Sequence, residues 1–546
     1  MEKQLPNWFK EKGYLHISPS LKLREDGSSI IKKITNPKFI EKYAFYPLMH
    51  TFITERKYKK GNATKHTTTK RKHAHKEIVS GKTSSNTKIR PLHYASHFDS
   101  LVYGYYADIL NTKYEAILKN NSALNESILA YRKIETFSNS GKGKANIHFA
   151  KECFDEITIR SQNQDVAVLA IDLKSFFSTL DHQYLKKVWC NLLEEDQLPN
   201  DHYNVFKSCT KFKYVLKDDL RIGKKSRSGR KKPFDESKLA KIRKSKGFRC
   251  FFESNEDFRL NLKEGKLPVY SNPFFREIEN TDKSKFEKRK INVGIPQGLP
   301  ISAVLANAYL LEFDTKMIEY INNKNNGFYR RYSDDILVIC SKEIMNDIEQ
   351  YAYDLIKLYK IKISEDKTER FIFKHSKFKA NSSETRLTCF SIDYNREEKQ
   401  SSLAYLGFEF KGYHVGIKNQ NLSKYYRKLI SSVKRKARRT IKIVENDPYA
   451  KKAVFKNQIK KIYNLPLKFT DFENIESAKI ARKRYNLCLN ENGFYEFRHY
   501  TPNTKNQSNY RSYIKRCCET FETDSFQRQI RKSKTIVHQA INKHLK

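Results

Sequence analysis

The sequence predicts an α+β fold spread over several domains, and three observations predict it. At 546 residues the chain is too long for one ordinary core, and common domain sizes allow roughly two to four. Two short apolar runs, Val166–Ile171 and Ile336–Cys340, have the length and composition of buried strands. Elsewhere apolar residues recur three and four apart, the spacing of helices with one packed face. Hydrophobic residues make up 38% and aromatic residues 13%, enough to fill such cores.

The elements follow in chain order. Residues 1–80 mix short apolar patches with Lys/Thr/Ser-rich connections and read as an N-terminal extension. Within it His66, His73 and His75 lie in a basic, threonine-rich run, which reads as a solvated or phosphate-contacting loop rather than a metal site. Residues 88–165 read as mostly helical, from Phe98, Leu101, Val102, Tyr105, Tyr106, Ile109 and Leu110. Val166–Ile171 is a buried strand delivering Asp172 at its C-terminal end. A helix capped near Asp181 follows, with Tyr184, Leu185, Val188, Trp189, Leu192 and Leu193 on one face.

Between Arg221 and Arg249 there are 13 Lys or Arg and only two acids, broken by Gly223, Gly229 and Pro233. A disordered basic insertion and a nucleic-acid-gripping loop both fit that composition. Gly294-Ile295-Pro296-Gln297-Gly298-Leu299-Pro300 is a glycine/proline loop, after which Ser302 is placed to cap a helix through Leu305, Tyr309 and Leu310. Beyond Gly412 the chain reads as helical and basic. Over 423–445, Tyr426, Leu429, Ile430, Val433, Ala437, Ile441 and Val444 mostly fall three or four apart while Lys428, Lys434, Arg435, Arg438, Arg439 and Lys442 fill other positions.

The charge balance narrows the partners. Lys and Arg number 106 against 61 Asp and Glu, a net +45. So much self-repulsion points to a polyanion, with nucleic acid first. A membrane is disfavoured because the most apolar helical stretch, Ile301–Phe313, is too short to span and contains Asn307. With no charged-then-apolar signal in Met1–Pro6, a soluble cytoplasmic protein is expected. The nine cysteines form no CxxC pair and read as reduced thiols.

The chemistry sits at Tyr332-Ser333-Asp334-Asp335, where two like charges lie beside an apolar strand. Phe328–Tyr332 and Ile336–Cys340 can pair as hairpin arms with Ser333-Asp334-Asp335 at or near the tip. The pair is tolerable there if a cation is to sit against it. Nucleotidyl transfer uses two divalent ions held by carboxylates at such a turn and at a neighbouring strand end, the place of Asp172.

The ordered set Asp172-Leu173-Lys174-Ser175-Phe176-Phe177, Gly294-Ile295-Pro296-Gln297-Gly298 and Tyr332-Ser333-Asp334-Asp335 resembles the palm motifs of reverse transcriptases. Ser364–Thr368 and Tyr405-Leu406-Gly407-Phe408 resemble the two motifs that follow, and Lys88–Leu92 and Ala130–Lys133 resemble finger segments. The resemblance spans about 88–410 and implies a right-hand polymerase fold of fingers, palm with an antiparallel sheet, and helical thumb. It divides the chain into an extension (1–80), fingers (81–165), palm with a basic insertion near 215–290 (166–411), and a basic helical thumb and C-terminal domain (412–546).

The implied activity is RNA-directed DNA polymerisation. Asp172 and Asp334 would be the main metal ligands with Asp335 supporting, and two Mg²⁺ ions, or Mn²⁺, the cofactor. Phe177 matches the steric gate that leaves no room for a 2′ hydroxyl, and Gln297 and Gly298 would contact nucleotide and template, glycine permitting close backbone approach. Lys367 would donate a proton to pyrophosphate, Arg90, Arg132 and Lys133 would touch triphosphate, and Tyr405, Leu406, Gly407 and Phe408 would form the primer grip.

Ala130–Lys133 and Asn146–Glu152 most resemble the bacterial defence-associated enzymes of the abortive-infection and unknown groups. That branch implies antiviral defence, an RNA template that is a noncoding RNA, dNTPs and a DNA product, homo-oligomers, and priming from a tyrosine. Tyr495, Tyr500, Tyr510 and Tyr513 are candidates that the sequence does not rank. A template-independent or protein-primed polymerase making repetitive DNA, and a non-catalytic RNA-binding scaffold, remain as alternatives.

Overall fold

The computed structural model describes residues 6–10, 12–21, 23–56, 59–60, 73–74, 76–79, 82–85, 87–137, 140–222, 233–278, 289–377, 384–392, 398–447, 449–454, 457–465, 484–489, 495–500 and 508–545. His66 and His75 lie outside them, as do the side chains of His73, Tyr495 and Tyr500.

Strands Leu48–Arg56 (β1) and Thr87–Tyr94 (β2) pair antiparallel, with Ile53 opposite Arg90. Residues from 88 onward therefore begin as strand, and the expected helix starts only at His97–Lys119 (α1), where the Ser96 side chain accepts from the Asp99 amide. A second helix, Asn146–Arg160 (α2), leads into Val166–Asp172 (β3). His182–Leu193 (α3) follows, and its cap is the expected Asp181, whose carboxylate accepts from the Tyr184 amide at 3.0 Å.

The next strand, Lys213–Leu216 (β4), pairs in parallel with β1, placing Leu48 opposite Tyr214. The basic stretch that begins there is not a loose loop over its described part. Helices Glu236–Lys246 and Asn255–Lys263 bury Leu239, Ile242 and Phe258. Leu239, Phe251, Phe252, Phe258 and Leu267 share a small core with Ile17, Met49 and Val215. The apolar positions needed for it are few and scattered among lysines, so the composition conceals them. Residues 223–232, the most basic part, lie outside the description.

Helices Ser302–Tyr309 (α4) and Leu311–Ile318 (α5) lie between the glycine loop and the hairpin of Phe328–Tyr332 (β5) and Asp335–Ser341 (β6). Ser302 is not a cap: it is the first helical residue, and its hydroxyl donates to the Pro296 carbonyl at 2.6 Å, fastening loop to helix. After Met345–Leu358 (α6) come Glu369–Lys377 (β7), Thr385–Ile392 (β8) and Glu398–Gln400 (β9).

The central sheet runs β5-β6-β3-β7-β8-β9, and every neighbouring pair is antiparallel. Ala167, Leu169 and Ile171 of β3 face one core while Val166 and Val168 face another; β6 divides likewise, with Ile336, Val338 and Cys340 on the first side and Leu337 and Ile339 on the second. A strand covered on both faces has no polar side, which is why both runs are wholly apolar.

Leu403–Tyr405 (β10), Phe408–Phe410 (β11) and Val415–Ile417 (β12) form a small second sheet against the second core. Asn419–Asn446 (α7) then buries Tyr425, Leu429, Val433 and Ala437, beside Tyr510–Phe521 (α8) and Ser533–His544 (α9). The region beyond 412 is not all helical, since Arg484–Leu489 pairs with Tyr495–Tyr500. Eight described cysteines are free thiols, and no described helix is long and apolar enough to cross a membrane.

Candidate active site

The register of the central sheet gathers the acids. Asp172, the last residue of β3, lies directly opposite Asp335, the first of β6, and Tyr332 pairs with the same Asp335, leaving Ser333 and Asp334 as the hairpin turn. Opposed residues on adjacent antiparallel strands share a face, with Cα atoms about 4.5–5.5 Å apart. The Asp334 carbonyl accepts from the Leu173 amide at 3.1 Å, stitching the turn to the end of β3. Asp335 thus begins a strand rather than sitting at the tip, and all three acids still belong to one sheet edge.

Positive charge is already drawn to this edge. The Lys367 ammonium pairs with the Asp172 carboxylate, which is 22% exposed. Lys367 is held there by a short 3₁₀ turn, Glu365–Lys367, and by the Ser364 amide, which donates to the Asp172 carbonyl at 2.8 Å. Among the described residues no three acidic, histidine or cysteine side chains form a ready metal cluster. It is the backbone register, rather than the present rotamers, that brings the carboxylates together.

A buried ion pair props the turn from below. Arg331 and Asp314 are both fully buried; Arg331 Nε and Nη2 donate to Asp314 Oδ1 and Oδ2 at 2.7 and 2.6 Å. Arg331 Nη1 continues to the Ser333 carbonyl at 3.1 Å and to Asn307 Oδ1 at 3.2 Å, while the Tyr329 hydroxyl donates to Asp314 at 2.7 Å. Burial pushes the Asp314 carboxyl above its usual range, against the pull of the Arg331 charge. From the other side the Tyr131 hydroxyl lies 3.2 Å from the Ser333 hydroxyl, and the Leu129 amide donates to the Arg331 carbonyl at 3.0 Å. Sequence reasoning missed Arg331, Asp314, Asn307 and Tyr131; a basic residue in a strand otherwise buried was the available signal.

Phe177 is half-buried in a 3₁₀ turn, Phe176–Ser178, five residues beyond Asp172. Its carbonyl accepts from the Ile295 amide at 2.8 Å, so the 3₁₀ turn and the glycine loop are laced together. Gln297 joins the loop to β2, since its carbonyl accepts from the His93 amide at 2.8 Å. Gly298 has φ +119°, and a Cβ there would lie 2.4 Å from the His93 carbonyl oxygen. The close approach that demands glycine in this structure is therefore to β2.

The finger basics separate. Arg90 and Lys133 are exposed. Arg132 does not offer itself to a triphosphate: its side chain is 3% exposed, and its guanidinium is taken up by both Glu115 oxygens, Asn125 and the Ile128 carbonyl. It fastens the 125–132 segment to α1 instead. Tyr405-Leu406-Gly407-Phe408 is a tight hairpin, with Leu406 and Gly407 at φ 45° and 95° and Tyr405 opposite Phe408. Tyr405 and Phe408 are buried, which leaves Leu406 and Gly407 as the accessible part. Tyr510 and Tyr513 are half-buried; Tyr510 stacks on Tyr425 at 4.4 Å, and burial pushes its hydroxyl up to about 12.

With this geometry in view, residues 252–410 match the family model described as reverse transcriptase (RNA-dependent DNA polymerase). The matched range contains Gln297, Gly298, Asp334, Asp335, Lys367 and Tyr405–Phe408, while Asp172 and Phe177 precede it. No curated protein matches the chain. Solved structures that it resembles include telomerase from Candida tropicalis in complex with a TWJ fragment of telomeric RNA, at 12% identity over 85% of this chain and 61% of that one, TM-score 0.32. Telomerase from Candida albicans in complex with a TWJ fragment of telomeric RNA aligns at 10% identity over 75% and 55%, also at 0.32. Apo telomerase from Candida tropicalis aligns at 11% identity over 66% and 51%, TM-score 0.32. The chain thus spans between half and two thirds of each of those structures.

Proposed function

We propose that the chain is an RNA-templated DNA polymerase with a right-hand α+β fold whose chemistry is centred on Asp172, Asp334 and Asp335, a reading supported by the match of residues 252–410 to the reverse transcriptase model. The observation that carries the reading is the β3–β6 register, which sets Asp172 opposite Asp335 beside the Ser333–Asp334 turn.

A metal fits this edge by the chemistry of its donors. The donors are all carboxylate oxygen, suited to Mg²⁺ or Mn²⁺, and Asp172 already pairs with one cation, the Lys367 ammonium. Asp172 and Asp334 would hold the ions and Asp335 would support them; when bound, they supply activation of the primer 3′ oxygen and stabilisation of the leaving pyrophosphate. The remaining work belongs to the chain itself. The Phe177 ring closes the sugar side of the pocket against a 2′ hydroxyl, Gln297 and Gly298 hold the loop against β2, and Lys367 Nζ is the proton source for pyrophosphate. Leu406 and Gly407 present the primer end, with exposed Arg90 and Lys133 as triphosphate contacts. Arg132 is left out of that set.

The finer assignment is bacterial antiviral defence with a bound noncoding RNA as template, a DNA product and a homo-oligomeric assembly. Its support is the resemblance of Ala130–Lys133 and Asn146–Glu152 to that branch and a net charge of +45. In the same reading fingers, palm and thumb divide near 81–165, 166–411 and 412–546, with β1 and β4 completing the finger sheet from outside those limits.

Purified protein supplied with Mg²⁺, an RNA template, a primer and labelled dNTPs should extend the primer. Asp334→Ala combined with Asp335→Ala should abolish extension while RNA binding persists, and undiminished synthesis by that variant would refute the assignment. Sequencing the product made without added RNA separates templated synthesis from synthesis of repeats.

A further inference from the structure

Behind Phe177 lies a second charged cluster that the reading above does not use. Asp181 is 4% exposed and holds four groups. Its carboxylate accepts from the Tyr184 amide and pairs with Arg276 and, at 3.1 Å, with Lys360; its own amide donates to the Tyr309 hydroxyl at 3.1 Å. Burial works against the charged form of Asp181, but the Tyr184 amide, Arg276 and Lys360 together hold its carboxyl below the usual range. The next residue, His182, meets the Gly294 carbonyl through Nε2 at 2.8 Å.

The cluster ends a short ladder that includes the gate. The Gly294 amide donates to the Leu180 carbonyl at 2.7 Å and the Ile295 amide to the Phe177 carbonyl at 2.8 Å. Phe177–Leu180 and Gly294–Ile295 therefore move together, and Asp181 fixes their common end. Each cation comes from a different place. Arg276 lies in Phe275–Ile278, paired with Arg289–Asn292 within the basic insertion. Lys360 opens the segment in which the Lys362 carbonyl accepts from the Lys174 amide at 2.8 Å and which then carries Lys367.

Resting on the proposed polymerase function, we propose that Arg276, Asp181 and Lys360 form a latch that positions the Phe177 gate, so that the basic insertion sets discrimination between deoxy- and ribonucleotides. Arg276 is a positioning residue that acts through Asp181. Without it the buried carboxylate keeps the Tyr184 amide but only one cation, Lys360, which is half exposed at 47%, and the ladder behind the gate loosens.

The test compares wild type with Arg276→Ala, Arg276→Lys, Lys360→Ala and, as a control on the strand pair that carries Arg276, Lys290→Ala. KM and kcat for a dNTP and for the matching rNTP are measured on one primer–template. Arg276→Ala should raise the dNTP KM and lower dNTP-over-rNTP selectivity by about tenfold, the loss of one charge-assisted hydrogen bond, with a smaller change in kcat. Arg276→Lys should recover most of the selectivity, Lys360→Ala should shift it the same way by roughly threefold, and Lys290→Ala should leave it unchanged. Hydrogen exchange supplies a readout independent of turnover: the Gly294 and Ile295 amides should exchange faster in Arg276→Ala and Lys360→Ala. Wild-type selectivity in both variants, or unchanged exchange at those amides, overturns the latch. If the wild type makes no DNA, the polymerase assignment fails, and the exchange measurement alone decides whether Arg276 and Lys360 hold the ladder.

Discussion

Replacing Arg331 by Met puts the support of the Asp334 turn to a quantitative test. Arg331 and Asp314 are at 0% exposure, and the guanidinium links Asp314 to the Ser333 carbonyl. Removing one member of a buried pair costs about 3–5 kcal/mol, because the other is left as an uncompensated charge. Domains are stable by about 5–15 kcal/mol, so Arg331→Met should remove at least about a fifth of that margin. With a urea slope near 2 kcal/mol per molar, the unfolding midpoint falls by roughly 1.5–2.5 M. The Asp314 carboxyl, already raised by burial, rises further and takes up a proton. Adding Asp314→Leu removes the stranded acid and should return most of the stability. It cannot return the donor to Ser333, so primer extension should stay low in the double variant although Asp334 is untouched. Urea unfolding followed by circular dichroism, with extension assays on the same preparations, reads both quantities. A loss under about 1 kcal/mol in Arg331→Met, or full activity in the double variant, would refute the reasoning.

Four further outcomes are expected. Gly298→Ala should reduce both stability and dNTP incorporation, since its Cβ would lie 2.4 Å from the His93 carbonyl at a φ that L residues avoid; thermal melting and incorporation assays check it. Phe177→Ala should admit ribonucleotides, read as ribonucleotide content of the product. Burial pushes the Asp99 carboxyl up to about 6 from an ordinary 3.8. Between those values the folded state keeps a proton that the unfolded chain has released, so stability falls as pH rises through that window, by ~3 kcal/mol in all; Asp99→Asn should flatten the slope in urea titrations from pH 4 to 6. Glu at Lys434, Arg435, Arg438 and Arg439, all exposed on α7, should weaken RNA binding and reduce its salt dependence by roughly 0.7–0.9 per lost phosphate contact in a log–log plot.

What could be read from sequence was whatever had a local physical cause. β3 and β6 are apolar because both of their faces are covered, and the like charges of Asp334 and Asp335 mark the end of such a strand. Asp181 announced its helix because a cap is a two-residue matter of one carboxylate and one amide. Interactions between distant segments left no such mark. Arg331 stood out only as a basic residue in a strand otherwise buried, and nothing near it in sequence announced Asp314 as its partner. Arg132 offered a positive charge in a finger segment, and nothing nearby in sequence announced Glu115. Ser302 had the chemistry of a cap but meets Pro296 behind it. Strand β2 escaped because His93 alone of its described side chains is buried, while Ile89 and Arg90 are exposed.

The parallel contact between β1 and β4 has a bearing on how the polypeptide is made. Leu48 cannot meet Tyr214 until more than 160 residues separate it from the growing end, and Ile17 and Met49 find Phe251 and Phe252 later still. The stretch around Ile17 and Met49 must therefore wait, partly uncovered, for the lysine-rich segment to arrive. Excising that segment as though it were a decoration would strand those early apolar residues in water, so the two are expected to be gained, lost or transplanted as a single piece.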